Sequence, residues 1–227
     1  MTTSGPGLRE RKKQTTRAAL REAALRLALE RGPGNLRVDD IAQAAGVSTR
    51  TYNNYFSSRE QAIVAAVAAD REARVAAAVA ARSPCTGLAR AVVEAVVEHY
   101  GGASDRAGEA DVRILLDLIA SHGALREAYL GTAAAMEEPL ARAIAEHLGD
   151  ADACVAPVLS ASVAAAVRIA LGRWLEATPP SAAAAGLVVV TGALPDLLRT
   201  ALAPLVPALD AAERRQGTGR DAPERRG

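Results

Sequence analysis

Arg50 and Asn54 lie one helical turn apart in the stretch Ser48-Thr49-Arg50-Thr51-Tyr52-Asn53-Asn54-Tyr55-Phe56. At roughly 100° per residue, Tyr52 and Phe56 fall within about 40° of each other and define an inward face. Arg50 and Asn54 then point largely away from it, with Thr49 and Asn53 on one flank and Thr51 and Tyr55 on the other. The forked donors of Arg and Asn match the guanine and adenine edges of the major groove, whereas Thr and Tyr hydroxyls suit phosphate oxygens. An ordinary solvent-facing helix is the competing reading. In a chain rich in Ala, Glu and Arg, however, such a helix would rarely gather these side chains together.

Base-reading side chains need a helix held at a fixed angle to a second one. The preceding residues supply it: Leu36-Arg37-Val38-Asp39-Asp40-Ile41-Ala42-Gln43-Ala44-Ala45-Gly46-Val47. Ile41, Ala42 and Ala45 form the apolar face of a short first helix, and Gly46 permits a tight turn. Val47 plugs the corner, and Ser48 is placed to cap the second helix. The spacing thus predicts a helix-turn-helix over 38–45 and 48–55, preceded by an amphipathic helix over 9–31 with Leu20, Ala23, Ala24 and Leu27 on one side. That first helix stops at Gly32-Pro33-Gly34-Asn35.

The net charge of +1 conceals an asymmetry. Residues 1–60 carry 11 Lys/Arg against 6 Asp/Glu, while residues 61–209 carry 11 against 16. A basic head on an acidic body points to a polyanion partner at one end. Arg9, Arg11, Lys12, Lys13 and Arg17 stand just ahead of the motif, placed to meet backbone phosphate or an adjacent groove, an attraction that weakens steeply with salt.

Residues 9–65 resemble the DNA-binding domain of the TetR family of bacterial regulators. The resemblance rests on the leading basic helix through Arg31-Gly32, the Val-Asp-Asp-Ile-Ala-Gln-Ala-Ala-Gly-Val-Ser core, the Thr-Tyr-x-x-Tyr-Phe recognition helix, and Ser58-Arg59-Glu60. It implies an all-α fold with an N-terminal three-helix DNA-binding domain and a larger helical ligand-binding and dimerisation domain. It also implies base reading by Thr49, Arg50, Asn53 and Asn54, and phosphate contacts by Thr51, Tyr55 and Arg59. Arg37 replaces the usual Thr or Ser cap and joins Lys12 and Lys13 among the phosphate-facing residues. Asn53 replaces a frequent aromatic, so the operator sequence does not carry over.

Breakers divide the remainder into helices near 58–82, 86–100, 110–121, 124–148, 152–177 and 181–203, with the apolar run Leu187–Val190 read as part of the last. Pro139, Pro157 and Pro195 fall inside these windows, where they delay a start or impose a bend. Domains are expected at 9–57 and 58–209, with disordered tails at 1–8 and 210–227. By resemblance the last two helices pair two copies of the chain. Val163, Val167, Ala170, Leu171 and Trp174 form one candidate stripe and Gly186, Val189, Val190, Ala193 and Leu197 another, with Gly172 and Gly186 permitting close approach; packing inside one subunit is the alternative. Pairing doubles the readout on a palindrome with half-sites about 34 Å or a multiple apart.

The middle helices correspond by position to a ligand chamber for a small-molecule inducer, with His99, Tyr100, Arg113, Asp117, His122, Tyr129 and Trp174 as candidates. Arg113 and Asp117, four residues apart, suit a surface ion pair better than a ligand contact, and Tyr129 and Trp174 suit the core better. Cys85 and Cys154 lie outside any ligand pattern and read as buried or idle thiols. The N-terminus lacks the apolar core of a signal peptide, and no run is read as a membrane span, so a soluble, cytoplasmic protein with no membrane partner is expected.

Catalysis, metals and cofactors are not expected. Glu98-His99 and Glu146-His147 are adjacent pairs whose side chains diverge on a helix, and carboxylate-metal ExxH spacing is missing. There is no Gly-rich phosphate loop and no GxSxG. The expected function is a ligand-responsive regulator, a repressor released from a palindromic operator by its inducer. The alternative is a helical small-molecule carrier or adaptor with a non-functional DNA-binding head.

Overall fold

A computed structural model describes residues 7–68, 71–82, 86–101, 109–149, 153–177 and 193–220. These are helical, with no strand among them. The chain divides into two compact units, one built from Met1–Ala69 and Arg106–Tyr129, the other from Asp70–Asp105 and Leu130–Gly227.

In the first unit, α1 (Leu8–Arg31) buries Leu20, Ala23, Ala24, Leu27 and Ala28, the side anticipated from its periodicity. It ends at Gly32, whose φ of +77° is a conformation residues with a Cβ resist. A single 3-10 turn, Pro33–Asn35, leads to α2 (Val38–Ala44) and α3 (Thr49–Asn53). Next comes α4 (Arg59–Ala68), which packs on α1 and buries Ala62, Ile63 and Val64. The unit also includes α7 (Glu109–Ser121), packed on α1 and α4. The apolar side of α4 thus finds its cover on α1.

The second unit contains α5 (Arg71–Ala81), α6 (Leu88–Gly101), α9 (Glu137–Leu148), α10 (Val155–Ala177), α11 (Leu194–Leu202) and α12 (Val206–Arg220). The helix anticipated over 124–148 is two: α8 (Gly123–Gly131) and α9, separated by a 3-10 segment, Thr132–Met136, that buries Ala133 and Met136. Each of the three prolines sits in a first turn: Pro139 is third in α9, Pro157 third in α10 and Pro195 second in α11. There the missing N–H belongs to a group with no partner within the helix, so all three mark starts.

The C-terminal tail anticipated from Asp210 is instead helical as far as Arg220. Leu209 and Ala212 are buried, and one Glu213 oxygen accepts from the Leu88 backbone N–H at 3.1 Å while the other lies 3.4 Å from His147 Nε2. Two apolar anchors and one carboxylate capping α6 thus hold a segment whose composition is otherwise polar. Cys154 is exposed rather than buried, and Cys85 lies outside the described residues.

One helix, α10, is long and apolar enough to cross a membrane, contrary to the expectation from sequence. Half of its apolar window is buried inside the protein, and it packs on α9 and α11. Of the stripe anticipated between subunits, Val163, Val167, Ala170 and Leu171 are covered by this chain's own core, while Trp174 is partly exposed. The apolar side left exposed is a different one: Val158 is 62% and Ile169 51% accessible. Together with Ser162, Ala165 and Arg173 these follow helical spacing along α10, and Ser162, Ala165, Ile169 and Arg173 line a groove of about 450 Å³ whose other side includes Leu197, Thr200 and Ala201 of α11. Of the second anticipated stripe, Gly186, Val189 and Val190 lie outside the described residues, as does the run 187–190.

Candidate nucleic-acid interface

The turn between α2 and α3 is set by Gly46 at φ +70°. A Cβ there would meet nothing within 4 Å, so the demand for glycine comes from the backbone conformation alone. The Val47 N–H donates to the Ala42 carbonyl at 2.9 Å and the Gly46 N–H to Gln43 at 3.0 Å, closing α2. Ser48 then caps α3, its Oγ accepting from the Thr51 N–H at 3.1 Å. At the other end of the motif Asp40 accepts from the Arg37 N–H at 3.0 Å, which fixes the entry to α2.

Helix α3 is held by its buried face. Tyr52 has no exposed surface and Phe56 almost none, and their ring centroids are 5.8 Å apart. The Tyr52 hydroxyl donates to the Ser58 carbonyl at 2.7 Å, and burial, aided by the Glu60 carboxylate, pushes its pKa up to about 12. The Arg17 guanidinium stands 5.8 Å from the Phe56 ring centroid, tying α1 to the same anchor. With that side fixed, Thr49, Arg50, Asn53 and Asn54 are exposed together, and Thr51 and Tyr55 are partly exposed on the flank. Arg37, Lys12 and Lys13 are exposed as well.

Two of the anticipated DNA-facing side chains, Arg59 and Thr49, have partners within the protein. Arg59, expected on phosphate, folds back: Nη1 donates to the carbonyls of Leu36 at 2.6 Å and Gly34 at 3.4 Å, and Nε to Glu60 at 2.7 Å. It clasps the loop between α1 and α2, and only Nη2 is left for an anion. Thr49 donates its hydroxyl proton to Asp39 Oδ1 at 2.6 Å, a pairing between α2 and α3 that the sequence did not reveal, although both residues lie in the motif.

The ligand candidates divide between the units. Asp117 and Tyr129 belong to the first, partly exposed and buried respectively, and the His122 ring pairs with the Leu118 carbonyl at 2.9 Å. His99, Tyr100 and Trp174 belong to the second, where the buried Tyr100 ring lies 4.9 Å from the Arg71 guanidinium. The side chain of Arg113 lies outside the described residues. None of these candidates lines the α10–α11 groove.

A short helix packed through an aromatic face, leading with a capped turn and presenting Arg and Asn outward, defines a helix-turn-helix DNA-binding protein. The family model for bacterial regulatory proteins of the tetR family matches residues 20–66. The chain is 32% identical over 178 residues to the HTH-type transcriptional regulator TcmR of Streptomyces glaucescens, covering 76% of this chain and 79% of that one. A solved structure of a TetR-family regulator from a Rhodococcus species aligns with 88% of this chain and 99% of its own at 22% identity and a TM-score of 0.41. The chain belongs to the TetR family. It is accordingly a DNA-binding transcriptional regulator and not an enzyme.

Proposed function

We propose that this regulator is a cytoplasmic homodimer that binds a palindromic operator as a repressor and is released by a small-molecule inducer. The observation that carries the DNA-reading part is the exposure of Arg50, Asn53 and Asn54 opposite the buried pair Tyr52 and Phe56. Arg50 reads a guanine edge, Asn53 and Asn54 adenine edges, and Thr49 a neighbouring base. Lys12, Lys13 and Arg37, with the Thr51 and Tyr55 hydroxyls, hold the backbone. Arg59 acts chiefly by keeping the loop before α2 in place.

Two copies are needed because one short recognition helix touches few bases. The exposed apolar line of Val158, Ala165 and Ile169 beside the α11 groove is the surface that supports self-association. The inducer acts by binding more tightly to the state whose heads do not match the operator, since a ligand shifts an equilibrium only through unequal affinity. His99, Tyr100 and Trp174 of the second unit are the proposed ligand-facing residues.

The test is enrichment of duplexes from a random pool by purified protein at low ionic strength. A palindrome with two equivalent half-sites is expected, and recovery of unselected sequence would overturn the proposal.

A further inference from the structure

A hydroxyl normally serves both as donor and as acceptor, so an unassisted threonine discriminates poorly between base edges. Thr49 is constrained. Its partner Asp39 is a carboxylate, which only accepts, so at 2.6 Å the proton must come from Thr49 Oγ1. That leaves the Thr49 oxygen with lone pairs alone. Beside it stands Asp39 Oδ2, which has no hydrogen-bond partner among the described residues and is likewise an acceptor. The neighbouring carboxylate differs, because Asp40 is engaged by the Arg37 N–H. Both members of the Asp39–Thr49 pair are exposed, and Thr49 immediately precedes Arg50 on α3.

In the major groove, guanine presents N7 and O6 and thymine presents O4, all acceptors; only cytosine N4 and adenine N6 offer N–H donors. We propose that Asp39, acting with Thr49, is a specificity-determining residue that selects a base carrying an exocyclic amino group at one position of each half-site. Cytosine precedes adenine, because adenine places its N7 acceptor next to the amino group. Guanine and thymine are rejected by opposed lone pairs and by the carboxylate charge. The inference rests on the reading of this face as the one that meets base edges, and it adds a residue from α2 to that reading.

The experiment is the same duplex enrichment run with wild type, Asp39→Asn and Thr49→Val. The asparagine variant keeps the shape but acquires an N–H donor, and the valine variant removes the hydroxyl. The wild type is expected to enrich a palindrome with one half-site position dominated by cytosine or adenine. In both variants the preference for that amino-bearing base falls by about tenfold to a hundredfold, the discrimination expected of one good base contact, while the remaining positions keep theirs. Melting curves serve as the control for folding. Should Asp39→Asn melt early, Thr49→Val, which leaves α2 untouched, carries the comparison. Variant pools identical to the wild-type pool would remove Asp39 from base selection while leaving the DNA-reading face intact. A wild-type pool with no enriched sequence would instead overturn both.

Discussion

The Tyr52 hydroxyl donates to the carbonyl of Ser58 at 2.7 Å, fastening the recognition helix to the residue just ahead of α4. One side chain thereby serves twice, its ring filling the core under α3 and its oxygen fixing the exit from the motif.

Replacing Tyr52 by Phe keeps the ring and loses the bond. Stability at neutral pH should fall by about 1 kcal/mol, the usual net contribution of such a hydrogen bond. The alkaline behaviour follows from the raised pKa. The buried phenol ionises near 12, against 10 for an unperturbed tyrosine, so the unfolded chain gives up its proton first. Stability from this group is whole below about pH 10 and is lost as pH climbs towards about 12. Melting curves between pH 8 and 12 should therefore decline more steeply for wild type than for Tyr52→Phe. Parallel declines would show that this phenol does not govern the alkaline limit.

Arg59 offers a way to separate a clasp from a phosphate contact. Arg59→Met breaks the 2.6 Å bond to Leu36 and should lower head stability by about 1 to 2 kcal/mol, a charge-assisted bond discounted for its partial exposure. Operator affinity should drop because α2 shifts, yet the slope of log affinity against log salt should stay as in wild type. A slope smaller by about 0.9 would mean that one phosphate contact has been lost, and would restore Arg59 to the backbone.

Self-association is tested at Ile169. Its side chain is half exposed, so Ile169→Asp should leave the fold of the monomer nearly intact while placing a charge in the proposed seam. Sedimentation should report a dimer for wild type and a monomer for the variant, with affinity for a two-half-site duplex reduced to that for a single half-site. A variant that still sediments as a dimer would move the seam elsewhere.

The head was largely legible in the sequence because every local requirement agreed. Gly46 has a positive φ, Ser48 caps α3, and the spacing of Tyr52 and Phe56 gave the buried face. What local pattern did not reveal was which surfaces meet across long sequence separations and in the largely apolar α10. Helix α10 is apolar on most sides, so periodicity could not tell that Val163 and Val167 face the chain's own core while Val158 and Ile169 face out. The fold-back of Arg59 depends on a carbonyl 23 residues earlier, and α12 depends on Glu213 reaching Leu88 across 125 residues. The break between α8 and α9 carries no proline, and local propensity gives no sign that Ala133 and Met136 will be buried in a 3-10 segment.

Arg50 carries the largest share of the proposed readout, and its substitution decides the matter. Titrating labelled operator duplex against wild type and Arg50→Ala, each beside a scrambled duplex of equal length and at one salt concentration, gives the specific and non-specific affinities together. Loss of one forked guanine contact should weaken operator binding by about 1 to 3 kcal/mol and change scrambled-duplex binding far less. Equal operator affinity for the two proteins would contradict the assignment of this helix face to the major groove.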